Sequence, residues 1–305
     1  GFNPFQLEPT AHNLQFCEQL VAQLIKQPGD DIPILSAKEQ SEISHAVRTV
    51  MSEAASRELR SLSLIVQNLP ATGDQSVKAR LKKWTRGQPL GWAFDNPTDT
   101  HDFSRASLFG YDYTEFLDDP EIRTPIMAYL LHRTESLITG APFIYFMEEF
   151  WKPLQDPMFS EFALNKQKTI RKQSGLGVFV TQSPSDVLGH PIGKTMVEQS
   201  VTQIFLPNPR ADHDDYVQGF KVTESEYRII KNLGEASRMF LVKQGHGSAI
   251  VTFDLGSMPD MLNILSGTTE NVALLDKIRE EVGDEPEAWM PLLHERIAAR
   301  RALIQ

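Results

Sequence analysis

The run Phe143-Ile144-Tyr145-Phe146-Met147, passing directly into Glu148-Glu149, constrains this chain more than any other segment. Five apolar and aromatic residues without a polar break are too short for a helix and too continuous for a half-solvated strand. They suit a strand buried on both faces, as in a mostly parallel sheet covered by helices. A similar run, Gly177 to Thr181, leads into Gln182-Ser183-Pro184. Further strands are expected at 106–111, 203–206, 237–243 and 248–255, alternating with helices near 122–138, 157–173, 223–232 and beyond 258. Strands alternating with helices indicate an α/β fold.

The first third reads differently. Ser36-Ala37-Lys38-Glu39 has the form of a capping box and opens a helical pattern through Ile43, Val47, Val50 and Met51. A second helical run spans Arg57 to Leu69 and stops at Pro70-Ala71-Thr72-Gly73. A third covers Val77 to Trp84, before the connector Asp95-Asn96-Pro97-Thr98-Asp99. Residues 31–88 are thus expected to be all-α. The tail from 259 to 305 is helical as well and ends in Arg296, Arg300 and Arg301.

A chemical role follows from the acids that end the first strand. Ligands of open α/β sheets bind beyond the carboxyl ends of strands. Phosphoryl transfer there needs one acid at the Mg²⁺ shell and another to orient or deprotonate water. Glu148 suits the first role and Glu149 the second, and a solvated loop carrying two acids is the alternative. Gln182, at the next strand tip, would sit beside them, where an amide can sense a γ-phosphate or align water. Arg171 and Arg210 are candidates for a guanidinium reaching across a subunit boundary. An ordinary surface arginine is the alternative for each.

Other segments carry less. Gly189-His190-Pro191-Ile192-Gly193-Lys194-Thr195 ends like a phosphate loop, but only three residues separate its glycines where the motif has four. It is read as a surface turn. Asp212-His213-Asp214-Asp215 is read as a solvated turn, and His246 as part of a hairpin turn. The aromatics Phe109, Tyr111, Tyr113 and Phe116 are read as packing residues, because no dense basic interleaving accompanies them.

Composition excludes several classes. The net charge of −10 argues against broad wrapping of nucleic acid. Cys17 alone cannot form an internal disulfide and fits a reducing compartment, so a cytoplasmic setting is expected. No apolar stretch approaches the ~20 residues of a spanning helix.

The ordered set Gly1-Phe2-Asn3-Pro4-Phe5-Gln6-Leu7, Phe116-Leu117-Asp118-Asp119-Pro120-Glu121-Ile122-Arg123-Thr124-Pro125, Glu148-Glu149-Phe150-Trp151-Lys152, Thr181-Gln182-Ser183-Pro184, Phe205 to Ala211 and Lys243-Gln244-Gly245-His246 resembles the C-terminal motor domain of the large conserved ATPase of bacterial type IV secretion and conjugation systems. The resemblance spans nearly the whole chain. It implies a RecA-like P-loop NTPase core that hydrolyses ATP with Mg²⁺. Glu148 and Thr181 would lie on the nucleotide side, and Glu149, Gln182 and Arg171 or Arg210 would be catalytic.

It further implies a homo-oligomeric, often hexameric, assembly at the cytoplasmic face of the inner membrane. Its partners would be other secretion ATPases and inner-membrane components. Its work would be pilus biogenesis and the transfer of DNA or protein. The corresponding organisation is 1–30 as core segment, 31–100 as helical insertion, 101–258 as ATPase core and 259–305 as helical C-terminal region. In that family the phosphate loop precedes the Gly-Phe-Asn-Pro segment, so the chain would begin after the loop and its strand, and would be inactive alone. The metal-side acid of the family is usually Asp, whereas Glu148 stands here. Two other readings stay open: a DNA-pumping ring ATPase of the coupling-protein type, and a docking module whose helices and cationic tail hold neighbours.

Overall fold

In the computed structural model, residues 1–26, 34–54, 56–100, 107–116, 118–138, 140–154, 160, 170–265 and 267–304 are described. They fall into two compact units, Gly1–Ser200 and Val201–Gln305.

The first unit begins with a short 3-10 turn, Pro4–Gln6, and then the helices α1 (Ala11–Leu24), α2 (Ala37–Arg48), α3 (Leu62–Asn68), α4 (Val77–Leu81), α5 (Gly91–Phe94) and α6 (Pro120–Ser136). The capping box read from the sequence forms as expected. Ser36 Oγ accepts from the Glu39 amide at 3.2 Å, and the Ser36 amide donates to Glu39 Oε2 at 2.9 Å. Ile43, Val47, Val50 and Met51 are all buried in one core with Phe5, Cys17, Trp84 and Phe94. The expected continuous helix over Arg57 to Leu69 instead breaks into a 3-10 turn and α3. Ser61 caps α3 by accepting from the Leu64 amide, so the hydroxyl restarts the helix there.

The N-terminal segment pins this helical region. Asn3 is fully buried, and its Nδ2 donates to the carbonyls of Arg60 at 2.9 Å and Asn96 at 2.8 Å. Gln6 Nε2 donates to Pro97 O at 2.9 Å, while its Oε1 accepts from the Asp99 amide. These bonds satisfy loop carbonyls that no helix or sheet serves. Burial, reinforced by His12 and Arg133, pushes the His132 imidazole of α6 down to about 4.

From α6 the chain enters β1 (Phe143–Met147), α7 (Trp151–Leu154), β2 (Gly175–Phe179), α8 (Pro184–Leu188) and α9 (Gly193–Gln199). β1 and β2 pair in parallel, with Phe143 opposite Gly175 and Met147 opposite Phe179. The observed β2 starts two residues before the expected strand. Its glycines explain the shift: a Cβ at Gly175 would meet the Phe143 ring at 2.5 Å, and one at Gly177 the Tyr145 hydroxyl at 2.6 Å. β1 aromatics occupy the space that side chains on β2 would need.

The second unit holds β3 (Thr202–Phe205), α10 (Glu224–Asn232), β4 (Met239–Gln244), β5 (Gly247–Thr252), α11 (Pro259–Leu265), α12 (Thr269–Val282) and α13 (Pro286–Ile304). Its sheet is antiparallel, in the order β3-β4-β5. Gly245 and His246 make the hairpin turn expected of them, with Gly245 at φ +57°. Lys243 Nζ lies 2.7 Å from Glu226 Oε2, and both side chains are nearly buried. Ile278, Leu293 and Ile297 join α12 to α13. Arg296 makes two bonds to Glu281, and Arg300 lies 3.9 Å from Glu270, so these two cations are answered within their own helix pair.

Three expectations need correction. Residues 107–111 form no strand; they are a loop in which Leu108 is 87% exposed, so the apolar run does not pack as a strand. β1 and β2 are not buried on both faces, since Ile144, Phe146 and Leu176 are 59%, 70% and 54% exposed. The described strands are also not mostly parallel, because the second sheet is antiparallel throughout. The expected helix 157–173 lies outside the described residues apart from 160 and a 3-10 turn at Ile170–Gln173.

Candidate active site

The tips of β1 and β2 lie side by side because the strands pair in register to their ends and Val180 N donates to Met147 O at 2.9 Å. Phe150 is buried and meets the Phe179 ring edge-on at 5.1 Å, which anchors the turn leaving β1. Between these fixed points Glu149 adopts φ +47°, a left-handed conformation that is costly for a residue with a side chain.

The carboxylate of Glu149 is held at both oxygens. Gln182 Nε2 donates to Oε1 at 2.7 Å, and Trp151 Nε1 donates to Oε2 at 2.6 Å. Both donors are neutral, so they orient the anion and leave its charge in place. Glu148 is exposed, and its backbone carbonyl accepts from the Tyr113 hydroxyl. Burial, followed by the charges of Glu148, Glu149 and Asp112, raises the Tyr113 hydroxyl above its ordinary range. Lys152 Nζ pairs with Asp118 Oδ1 at 2.7 Å, and that bond lowers the Asp118 carboxyl.

Thr181 spends its hydroxyl locally, donating to Ser183 O at 3.1 Å and accepting from Ser183 N at 3.3 Å. Arg171 lies in the 3-10 turn before β2, and its side chain is outside the described residues. Arg210 belongs to the second unit; its amide donates to Asn208 Oδ1 at 3.0 Å and its side chain is exposed. Of the residues singled out in the sequence, Glu149 and Gln182 are thus in direct contact.

The acid pair and neighbouring amide are hard oxygen and neutral N–H groups, which fit a hydrated Mg²⁺ and phosphate oxygens. The Gly193 turn fits less well. A Cβ at Gly193 would meet Val187 O at 1.9 Å, so this glycine is required by the chain's own backbone, and Lys194 is exposed beside Glu198 at 3.8 Å. The Asp212 cluster is a turn closed on itself, with Asp212 Oδ1 accepting from the amides of Asp214 and Asp215. His213 there bridges to Glu224 at 2.7 Å, a bond that raises its imidazole.

Over 313 aligned residues the chain is 49% identical to the type IV secretion system protein VirB4 of Brucella abortus, covering 99% of this chain and 37% of that protein. The chain belongs to the VirB4 family of type IV secretion proteins. It is also 44% identical over 303 residues to PtlC, the type IV secretion system protein of Bordetella pertussis, covering 96% of this chain and 36% of that protein. The chain therefore spans just over a third of the length of these curated relatives. No family model matches it. The solved structure of VirB4 from Thermoanaerobacter pseudethanolicus superposes with a TM-score of 0.61 at 14% identity, covering 83% of this chain and 73% of that one, and shows a shared fold.

Three side-chain contacts at the strand tips escaped the sequence reading. Trp151 holds Glu149, Tyr113 holds the carbonyl of Glu148, and Lys152 ties Asp118 to the turn. Trp151 and Lys152 belong to the run Glu148-Glu149-Phe150-Trp151-Lys152, but their pairing is a matter of rotamer and turn. Tyr113 had no local signal, because its partner is 35 residues away.

Among the described residues no helix is long and apolar enough to cross a membrane.

Proposed function

We propose that this chain is the catalytic part of the ATP-hydrolysing motor of a type IV secretion or conjugation system. The observation that carries the reading is the two-point hold on Glu149, at the tips of two paired parallel strands, by Gln182 and Trp151. A carboxylate fixed at both oxygens, in a strained backbone conformation, is suited to position water and take its proton.

In this account Glu149 is the general base. Gln182 keeps a second amide hydrogen and its carbonyl for a phosphate oxygen or the attacking water. Glu148, exposed one residue earlier, would hold Mg²⁺ through the ion's hydration shell, since Mg²⁺ keeps several of its waters. Bound Mg²⁺ neutralises charge on the ATP phosphates. Thr181 would face the nucleotide, and Arg171 or Arg210 would act across a subunit boundary in a homo-oligomeric, hexameric ring.

The sheet would be a RecA-like core. The exposed apolar side chains of Ile144, Phe146 and Leu176 support further structure packing on β1 and β2, with the phosphate loop and its strand supplied by sequence upstream of Gly1 in the whole protein. Residues 31–100 would be an inserted helical subdomain, 101–258 the core and 259–305 a helical C-terminal region. The whole protein would work peripherally at the cytoplasmic face of the inner membrane, with other secretion ATPases and membrane components, in pilus biogenesis and DNA or protein transfer.

The test is transfer by cells whose full-length protein carries Glu149→Gln. Loss of transfer with normal protein abundance and assembly supports a motor. Undiminished transfer supports a docking role in which hydrolysis occurs elsewhere.

A further inference from the structure

Away from the strand tips, α1 and α6 bring three ligating side chains together. His12 stands in the first turn of α1, and His132 and Glu135 are three residues apart on one face of α6. One ligand atom from each lies within 4.8 Å of the others. We propose that His12, His132 and Glu135 bind a divalent transition-metal ion, zinc by donor chemistry, which clamps the N-terminal helix to the helix leading into β1.

The surroundings of His132 are organised as they are around ligating histidines. Asn13 Nδ2 donates to Glu8 O at 2.9 Å, which fixes the amide with its oxygen 2.8 Å from His132 Nε2. An amide oxygen only accepts, so Nε2 carries the hydrogen and the free lone pair falls on Nδ1. A ring N–H held by an outer carbonyl fixes tautomer and orientation and raises ligand basicity. Phe16 stacks on the same ring at 3.8 Å and 6°, which removes its rotational freedom. The His12 ring lies 4.7 Å from that of His132.

Access is compatible with binding. His132 is buried, whereas His12 is exposed and Glu135 half-buried. Bonds of about 2.0–2.1 Å require the ligand atoms to draw together, and the two side chains that reach solvent can do so by changing rotamer. Two imidazoles and one carboxylate suit zinc better than magnesium or calcium, which prefer all-oxygen shells. Arg133, the cation next to His132 on α6, is bonded to Asp99 at 2.8 Å. Three protein ligands leave a fourth position for water.

The test is titration of the metal-free 305-residue chain with Co²⁺, followed by displacement with Zn²⁺, read by visible absorption and thermal melting. One equivalent of Co²⁺ should give the spectrum of a four- or five-coordinate site, Zn²⁺ should displace it, and zinc should raise the melting temperature. His12→Ala and Glu135→Gln, both confirmed as folded by melting without metal, should each weaken zinc binding at least about tenfold. Asn13→Ala should weaken it by about 10–100-fold. Unchanged zinc affinity in both ligand variants, or no stoichiometric binding by the wild type, overturns the proposal.

Discussion

Gln182 Nε2 donates to Glu149 Oε1 at 2.7 Å, joining the tips of two strands across 33 residues of sequence. In the proposed motor the bond would couple the residue that activates water to the residue that senses phosphate.

Trp151 is the second support of that carboxylate. Trp151→Phe keeps the ring but removes the donor 2.6 Å from Glu149 Oε2. A hydrogen bond to a charged group contributes about 1.5–3 kcal/mol. In the full-length protein, kcat for ATP hydrolysis should therefore fall roughly tenfold or more while KM changes little, because the indole acts through Glu149. Steady-state phosphate release measures both; an unchanged kcat contradicts the positioning role.

Lys194→Ala should leave nucleotide affinity unchanged, to within about 0.5 kcal/mol for an exposed residue. The Gly193 turn is shaped by its close approach to Val187 O. Equilibrium binding of a fluorescent ATP analogue to the full-length variant is the check, and loss of affinity would return this turn to the nucleotide site.

The buried pair Lys243–Glu226 gives a stability prediction with a defined sign. Burial alone would raise the Glu226 carboxyl, but the Lys243 bond and the Thr223 amide outweigh it and hold the group below its ordinary value. Its contribution is therefore complete above the unfolded carboxylate value of about 4.3 and is lost as pH falls through the lower folded value. Lys243→Met removes the carboxylate's charged partner but leaves its bond from the Thr223 amide, and should cost about 1.5–3 kcal/mol at neutral pH. Denaturant melts of wild type and variant at neutral and acid pH should show that difference shrink below pH 4.

How much of this was legible in sequence depends on the range of the interactions. The capping box at Ser36, the hairpin at Gly245-His246 and the helices near 122–138 and 223–232 were readable because their signals lie within a few residues. The start of β2 was not, because Gly175 and Gly177 are tolerated in a strand only where Phe143 and Tyr145 fill the space above them. Exposure of Ile144, Phe146 and Leu176 was misread for a related reason: an apolar run reports what a strand can pack against, not what this chain places there. At the candidate site, strand-tip logic places Glu149 beside Gln182, and the two are in contact, whereas Tyr113 and the Trp151 contact depend on tertiary geometry and rotamer.

The most direct test of the central claim is a paired measurement on the full-length protein and its Glu149→Gln variant: equilibrium ATP binding with Mg²⁺, and single-turnover phosphate release. Binding should be retained while hydrolysis falls by about 10²–10⁴-fold, the contribution of a positioned general base. Hydrolysis at the wild-type rate in the variant would contradict it and remove Glu149 from the chemistry.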